Sequence, residues 1–278
     1  MITVKNLTFG YRGKRPIYRD LSLDIQSGRI YGLLGSNGVG KSTLLKLIGG
    51  LLRPQQGTLT LFGSDASKGG VEMLSELAFL PEEFALPNIV VSEWVGVTAP
   101  FYPNFDHTFF TSALGAFEVE SSMKFGSMSM GQRKKVLIAF AMACSTQLLI
   151  MDEPTNGLDI TSKQTFRRLL ASWATPERTA IISTHQVKDV ENLLDHIIIL
   201  DQRGVACNAS IYDISQRLRF SIENTPEGAI YSQPALGGYA VVSKNLSGEE
   251  SNVEIELLYA AITKERQRVN EILNPPTK

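Results

Sequence analysis

The chain has 278 residues, enough for one large domain or two small ones with a sizeable core. Its formal net charge is −1 and its sequence pI is about 6.3, which argues against a nucleic-acid binder that relies on a basic surface. The two cysteines, Cys144 and Cys207, predict no disulfide framework, and both fit a reducing cytoplasm.

The sequence shows no segment suited to secretion or to a membrane span. Lys5 and polar residues interrupt the N-terminus, so no secretory signal is expected. The most apolar uncharged stretch, residues 136–151, is shorter than the roughly 20 apolar residues that a span needs. Any transport role would therefore require a separate membrane subunit.

The N-terminal part of the chain predicts short strands separated by turns, then a glycine loop and a helix. The helix is expected to start at Ser42, and a turn at residues 53–57 follows it. The predicted strands are Ile2–Leu7, Leu21–Ile25, Arg29–Leu34 and Thr58–Phe62.

Residues 35–42 fit the pattern Gly-x-x-x-x-Gly-Lys-Ser between a predicted strand and a predicted helix. Glycines let backbone N–H groups turn toward a phosphate, and the helix N-terminus adds partial positive charge. Lys41 would neutralise the β- and γ-phosphates, Ser42 would bind Mg²⁺, and Thr43 would donate to phosphate. The alternative is a glycine-rich structural turn. The predicted nucleotide-binding residues here are Ser36, Asn37, Gly38, Val39, Gly40, Lys41, Ser42 and Thr43.

Residues 87–143 predict helices separated by aromatic, proline-containing segments. Aromatic residues cluster at Phe101–Phe105, with Phe109 and Phe110 close behind. We favour a packed core for these rings over the alternative, an exposed groove that receives a helix of a partner.

The apolar run Gln147–Asp152 predicts a fully buried central strand that ends in two acids. Open α/β sheets bind ligands at the carboxyl ends of their strands, so Asp152 would hold Mg²⁺ there. Glu153 would polarise the attacking water, a contribution on the order of 10²–10⁴ in rate. Taken alone, the same residues could simply form a turn that closes the strand.

The remaining chain predicts a strand at residues 179–184 followed by His185, then a hairpin from 197–200 to 205–208 and a short helix from Ser210. From about residue 220 onward we expect strands and one terminal amphipathic helix, Val253–Ile272, with no assigned chemistry.

Three further motifs complete a set in fixed order: Met128-Ser129-Met130-Gly131-Gln132, Gly157-Leu158-Asp159 and Ser183-Thr184-His185. The whole set resembles the ATP-binding subunit of an ABC transporter over about residues 1–217. Met128 and Met130 depart from the usual signature, which has Leu and Gly at these positions. The resemblance implies an α/β P-loop NTPase fold with an ABC-type antiparallel β subdomain, a RecA-like parallel-sheet core, a helical subdomain at about 87–143 and a small C-terminal α+β tail. It divides the chain into an ATP-binding domain, 1–217, and an extension, 218–278.

The resemblance also implies roles for single residues. Tyr11 would stack on adenine, although it could be a structural tyrosine at a sheet edge. Glu82 stands where many members have a glutamine that senses Mg²⁺ and the membrane partner. Asp159 would link two ATP sites, and His185 would contact the γ-phosphate, although a lone histidine is more often structural. Ser129, Gly131 and Gln132 would reach the γ-phosphate held by a second subunit.

We therefore expect an ATP hydrolase that uses Lys41, Glu153 and His185 for catalysis, with ATP and Mg²⁺ as cofactors. Its partners would be a second copy or a paralogous subunit and a separate integral-membrane permease, with no nucleic acid. It would be cytoplasmic, held on the inner face of the cell membrane by the permease. The form of the signature favours an exporter. The alternatives are a soluble ABC ATPase that assembles a protein or cofactor complex, and a regulator that binds nucleotide without hydrolysis.

Overall fold

The computed structural model of the chain describes residues 1–273, except for the side chain of Ser67. Its strands are β1 Ile2–Phe9, β2 Tyr18–Ile25, β3 Ile30–Gly35, β4 Gln56–Leu61, β5 Ser64–Asp65, β6 Leu77–Leu80, β7 Leu148–Asp152, β8 Thr179–Ser183, β9 His196–Asp201, β10 Gly204–Ser210, β11 Leu218–Glu223, β12 Tyr231–Ala235 and β13 Gly238–Lys244. Its α-helices are α1 Lys41–Ile48, α2 Val71–Ser75, α3 Val91–Thr98, α4 His107–Ala116, α5 Met130–Ala143, α6 Ile160–Trp173, α7 Ile211–Arg217 and α8 Ile255–Leu273.

The first sheet is antiparallel, in the order β2-β1-β4-β5. One face is apolar, because Ile2, Val4 and Leu7 of β1 are buried together with alternate residues of its neighbours. The strand predicted at Thr58–Phe62 lies at Gln56–Leu61 instead, since Phe62 has a φ of 53° that ends the extended chain.

The central sheet has the order β10-β9-β3-β8-β7-β6, with β9, β3, β8, β7 and β6 parallel and β10 antiparallel to β9. Every residue of β3, β7 and β8 is buried, as expected for parallel strands covered on both faces. Asp152 at the end of β7 is opposite Ser183 at the end of β8. The pairing therefore gathers the polar residues that follow these strands at one edge of the sheet.

Helices α3 to α5 form a helical layer with an aromatic core. The ring centroids of Trp94 and Phe140 are 4.6 Å apart, and those of Phe105 and Phe140 are 5.1 Å apart. Phe110 is buried among them, so the predicted aromatic core is confirmed for this part of the segment. Phe101 differs, because 72% of its surface is exposed.

The C-terminal residues form a third antiparallel sheet, β11-β13-β12, followed by α8. The terminal helix predicted at Val253–Ile272 is present as α8, with two differences. The helix begins at Ile255, and Glu265 breaks its regular dihedrals with φ −125° and ψ 38°. Directly after the break, Arg266 donates to the carboxylate of Asp201 at 2.6 Å, which anchors the second half of α8 beside the β9–β10 turn.

Both cysteines are core residues. Cys144 follows α5 and Cys207 lies in β10, and each side chain is buried. Burial raises the pKa of the Cys207 thiol to about 12 and raises that of Cys144 as well. Among residues 1–273, every helix is too short or too polar to span a bilayer.

Candidate active site

The loop between β3 and α1 has a backbone that favours glycine at two positions. Gly38 has a φ of 78° and Gly40 a φ of 116°. A Cβ atom on Gly40 would lie 2.5 Å from the hydroxyl of Tyr18, which itself donates to the Gly40 carbonyl at 2.7 Å. Buried Tyr18 thus packs against the loop at Gly40, and a side chain at Gly40 would displace the Tyr18 ring.

Lys41 is the first residue of α1, and its ammonium turns back toward the loop. It donates to the carbonyl of Gly35 at 2.7 Å and to that of Ser36 at 3.4 Å, and the residue is buried. A lysine held in this way places its positive charge at the point where the glycine loop meets the helix N-terminus, which is the arrangement that binds polyphosphates.

An open cleft of about 460 Å³ lies over this loop. It brings together most of the residues that the sequence predicted for nucleotide binding and catalysis. Two lining residues, Ile17 and Asn156, were not predicted. The cleft is lined by Ile17, Asn37, Gly38, Gly40, Lys41, Ser42, Thr43, Glu82, Glu153, Asn156 and His185.

Apart from the signature residues and Asp159, which are described below, three predicted nucleotide contacts do not line this cleft. Val39 is buried, and a Cβ on Gly35 would lie 2.8 Å from its Cγ1 atom. Ser36 lines a separate cleft of about 850 Å³ beside α8. Tyr11 lies at the rim, where its hydroxyl is 3.4 Å from the Thr43 hydroxyl and its ring meets Phe9 edge-on. Its partial exposure leaves a ring face available for a base.

Asp152 and Glu153 are fixed by Ser183 of the neighbouring strand. The Ser183 hydroxyl donates to the carboxylate of Asp152. The Glu153 N–H donates to the carbonyl of Ser183, at 3.1 Å, and to its hydroxyl oxygen, at 3.2 Å. Glu153 has a φ of 48°, which is unfavourable for a residue other than glycine by about 1–3 kcal/mol. The surrounding hydrogen bonds hold it in that conformation.

The carboxylate of Glu153 is oriented by His185. Its Oε2 atom is 2.8 Å from His185 Nδ1 and 3.3 Å from the His185 N–H. Lys163 can only donate, so at 2.7 Å it fixes Gln186 Oε1 as an acceptor, and the Gln186 amide nitrogen then donates to His185 Nε2 at 3.3 Å. In neutral His185 the proton is therefore on Nδ1, where it is donated to Glu153.

Ser42 and Asp152 offer oxygen ligands of the kind that suits Mg²⁺, although Asp152 itself does not line the cleft. Ser42 offers a hydroxyl oxygen in the cleft and Asp152 a carboxylate oxygen, both of which are hard ligands. Glu82 is exposed and lines the same cleft, where it accepts from the Asn156 amide at 3.4 Å. Within residues 1–273 no group of three or more His, Cys, Asp or Glu side chains could hold a metal by itself. The ion would thus take its other ligands from phosphate oxygens and water.

The signature residues lie outside the cleft, at the start of α5. Ser129 caps the helix: its hydroxyl accepts from the Gln132 N–H at 3.2 Å, and the Gln132 side chain accepts from the Ser129 N–H at 2.9 Å. Met128 is buried, as suits a position where the usual signature has Leu. Met130 is 63% exposed and is the first residue of a regular helix. The unusual Met130 therefore leaves the local backbone intact.

The loop containing Asp159 lies against this helix start. A Cβ atom on Gly131 would lie 3.3 Å from the carbonyl oxygen of Gly157. The ammonium nitrogen of Lys135 lies 3.6 Å from the carboxylate oxygen Oδ2 of Asp159. Asp159 caps α6 by accepting from the Ser162 N–H at 2.7 Å. Hydrogen bonds from Ser162 and Thr161 hold the pKa of this carboxyl well below its usual range, with a smaller effect from Lys135.

Sequence reasoning assigned no role to several residues that build the site: Asn156, Lys134 and Ser183, the last of which it named only as part of a motif. Lys134 is buried and donates from α5 to the Glu153 carbonyl at 2.6 Å. A helical wheel could have found it, because it stands four residues before buried Ile138 and so faces the interior. The contact of Asn156 with Glu82 joins residues far apart in the chain, so no local pattern predicts it.

The sequence model of the ABC transporter family matches residues 18–156. The ABC transporter ATP-binding protein NatA of Bacillus subtilis (strain 168) is 31% identical over 229 residues, covering 79% of this chain and 93% of NatA. The chain belongs to the ABC transporter family. It is an ABC-type ATP-binding subunit, and as a member of this family it hydrolyses ATP.

Two other relatives of this ABC subunit carry names with different transport roles. The lantibiotic transport ATP-binding protein SrtF of Streptococcus pyogenes is 30% identical over 230 residues, covering 81% of this chain and 96% of SrtF. The high-affinity zinc uptake system ATP-binding protein ZnuC of Bacillus subtilis (strain 168) is 31% identical over 216 residues, covering 73% and 91%. These relatives agree on the family, but their names refer to different transported substrates.

Solved structures agree with the ABC fold described above. The structure of an ATP-binding subunit of an ABC transporter matches with a TM-score of 0.69 and 26% identity, covering 77% of this chain and 91% of that one. A dimeric ATP-binding cassette in a post-hydrolysis state, bound to ADP and Pi, matches in fold with a TM-score of 0.65 and 24% identity, covering 76% and 98%.

Proposed function

We propose that this ABC subunit powers an exporter: two copies, or this chain and a paralogue, close around two ATP molecules and move an attached membrane permease. The observation that carries the proposal is the division of the site. The cleft presents Lys41 and Glu153, whereas Ser129 and Gly131 lie outside it at the exposed start of α5. A second chain arranged head to tail would bring its own signature to this cleft.

In the proposed cycle, the glycine loop, Lys41 and the α1 N-terminus bind the phosphates, and Tyr11 stacks on the adenine. Bound ATP supplies the phosphoanhydride whose cleavage drives the cycle. His185 orients the Glu153 carboxylate, which accepts a proton from the attacking water. ATP favours the closed pair because it contacts both chains there, and its hydrolysis removes that preference.

The subunit would lie in the cytoplasm on the inner face of the cell membrane, bound through the permease. Phe101, exposed on the helical layer, suits contact with such a partner. Export is supported by the form of the signature, while the relatives include a zinc uptake protein, so the direction needs its own test.

The experiment uses tagged Glu153→Gln protein, purified with ATP and Mg²⁺ from gently solubilised native membranes, with the unmutated chain as control. Mass spectrometry then identifies the chains that co-purify in an ATP-dependent manner. We expect one polypeptide with several membrane spans and no extracellular solute-binding protein. An obligatory solute-binding protein would reverse the direction, and only soluble partners would favour an assembly ATPase.

A further inference from the structure

A buried ammonium group connects the signature helix to the catalytic turn. Lys134 of α5 is only 4% exposed. Its Nζ atom donates to the main-chain carbonyl of Glu153 at 2.6 Å and to that of Asn156 at 3.1 Å. A buried charge without such partners would be strongly unfavourable, so these two carbonyls are an essential part of its environment.

The two carbonyls belong to the turn that carries Glu153 in its unusual backbone conformation, with a φ of 48°. Ser183 holds the N–H of this residue, and His185 holds its carboxylate. Lys134 holds its carbonyl at 2.6 Å, and the Asn156 N–H of the same turn adds a longer contact at 3.3 Å. Without Lys134 the Glu153 carbonyl would keep only the Asn156 N–H, at 3.3 Å, as a partner, so the turn that carries the Glu153 side chain would be held less firmly.

The charge of Lys134 also fits the acids around it. Burial lowers the pKa of Lys134, while the carboxylates of Glu82, Glu153 and Asp152 oppose that shift. Glu82 reaches the same turn through the amide of Asn156, at 3.4 Å. A cation at this position therefore compensates for the acids at the wall of the cleft.

We propose that Lys134 is a positioning residue for ATP hydrolysis: from the signature helix it clamps the carbonyls of the catalytic turn and so fixes the direction of the Glu153 carboxylate. Lys134 does not line the cleft, so it acts through Glu153 and not on the nucleotide. The inference rests on the role proposed above for Glu153.

The test compares Lys134→Met, which keeps the length of the side chain and removes its donors, with Lys134→Arg, which keeps charge and donors. We expect Lys134→Met to lower kcat by about tenfold or more, with the KM for ATP changed by less than about twofold. Lys134→Arg should recover most of the rate. Lys134→Gln serves as a second donor-bearing variant if the methionine protein is poorly folded.

A double-mutant cycle separates positioning from general stabilisation. If Lys134 acts through Glu153, Lys134→Met should change the residual rate of Glu153→Gln protein by less than about twofold. Equal losses in both backgrounds, or a methionine variant with the parental kcat, would overturn the proposal. If the Glu153→Gln protein hydrolyses ATP at the parental rate, the proposed role of Glu153 is wrong. That result is distinct from the results that would overturn the proposed role of Lys134 alone.

Arg178→Met is the matched control. Arg178 also donates to a main-chain carbonyl, that of Trp173 at 3.2 Å, and packs over the Trp173 ring, with no contact to the cleft. Its loss should lower the thermal unfolding midpoint while kcat stays within about twofold of the parent. A kcat loss in Arg178→Met equal to that in Lys134→Met would mean that reduced stability alone explains the rate.

Discussion

Each polar group of Glu153 has a partner on a different element. The N–H faces Ser183 of β8, the carbonyl faces Lys134 of α5, and the carboxylate faces His185. Such an arrangement holds a side chain before the substrate arrives, which is how a general base gains efficiency without reorganisation. The position of Glu153 therefore depends on one neighbouring strand, on one helix and on the segment that follows β8.

Glu153→Gln should keep the shape of this residue while removing its basicity. We expect ATP turnover to fall by about 10²–10⁴, because proton acceptance from the attacking water is lost. Phosphate release measures turnover, and size-exclusion chromatography with ATP should show the accumulated dimer. Parental turnover in this variant would remove Glu153 from the mechanism.

Lys41→Ala should instead weaken nucleotide binding, since the ammonium at the loop is lost. Titration with a fluorescent ATP analogue measures the affinity, and we expect a loss of at least about tenfold, the scale of a single strong charged hydrogen bond. Lys46→Ala is the matched control, a lysine of the same helix outside the cleft. An equal effect of both substitutions would contradict a specific role for Lys41.

Among the helices, α4, α5 and α6 each begin at a side-chain cap. Asp106 caps α4, Ser129 caps α5 and Asp159 caps α6. These caps satisfy N–H groups that have no partner within the helix. For α5 and α6 the capping residue, Ser129 or Asp159, belongs to a motif that we predict to act at the nucleotide, so the same atoms define where the helix begins and where the motif lies.

Asp106→Ala tests a cap that is remote from the cleft. Its carboxylate accepts from the Phe109 N–H at 2.8 Å, and its loss should reduce the free energy of unfolding by about 1 kcal/mol. Asp106→Asn retains an acceptor, so its free energy of unfolding should fall by only a few tenths of a kcal/mol. Urea denaturation followed by circular dichroism measures both, and equal losses would show that the charge, and not the cap, matters.

At this scale the sequence predicted strands β1 to β4 and β7 to β10 and the glycine loop, because each depends on local periodicity and turn chemistry. Strand β6, Leu77–Leu80, was not predicted. The sequence also did not predict the break of α8 at Glu265, or the contacts of Lys134 and Asn156. Those features depend on which distant segments pack against each other, and a local pattern carries no such information.

Across the whole molecule, the C-terminal extension shares one hydrophobic cluster with the central sheet. Leu218, Leu258 and Val269 belong to the same buried cluster as Met151 and Ile182. The division of the chain at residue 217 stays a prediction, but this shared core leads us to expect that the extension and the ATP-binding part unfold together.

Leu258→Ala tests that expectation. The side chain is fully buried, so its truncation should reduce the free energy of unfolding by about 2–5 kcal/mol. Thermal unfolding should still show one transition, shifted to lower temperature. Leu246→Ala, at a leucine that is 84% exposed, should change stability by less than about 0.5 kcal/mol. Two separate transitions in the Leu258 variant would show that the extension unfolds by itself.

The burial of both cysteines has a practical consequence for labelling. Only the thiolate reacts with maleimides, and burial disfavours that form at Cys144 and Cys207. The parent protein should therefore stay nearly unlabelled in its folded state. A cysteine introduced at the exposed position Gln164 of α6 would be the fast-reacting thiol of the chain, and fluorophores attached there could report the distance between subunits in real time.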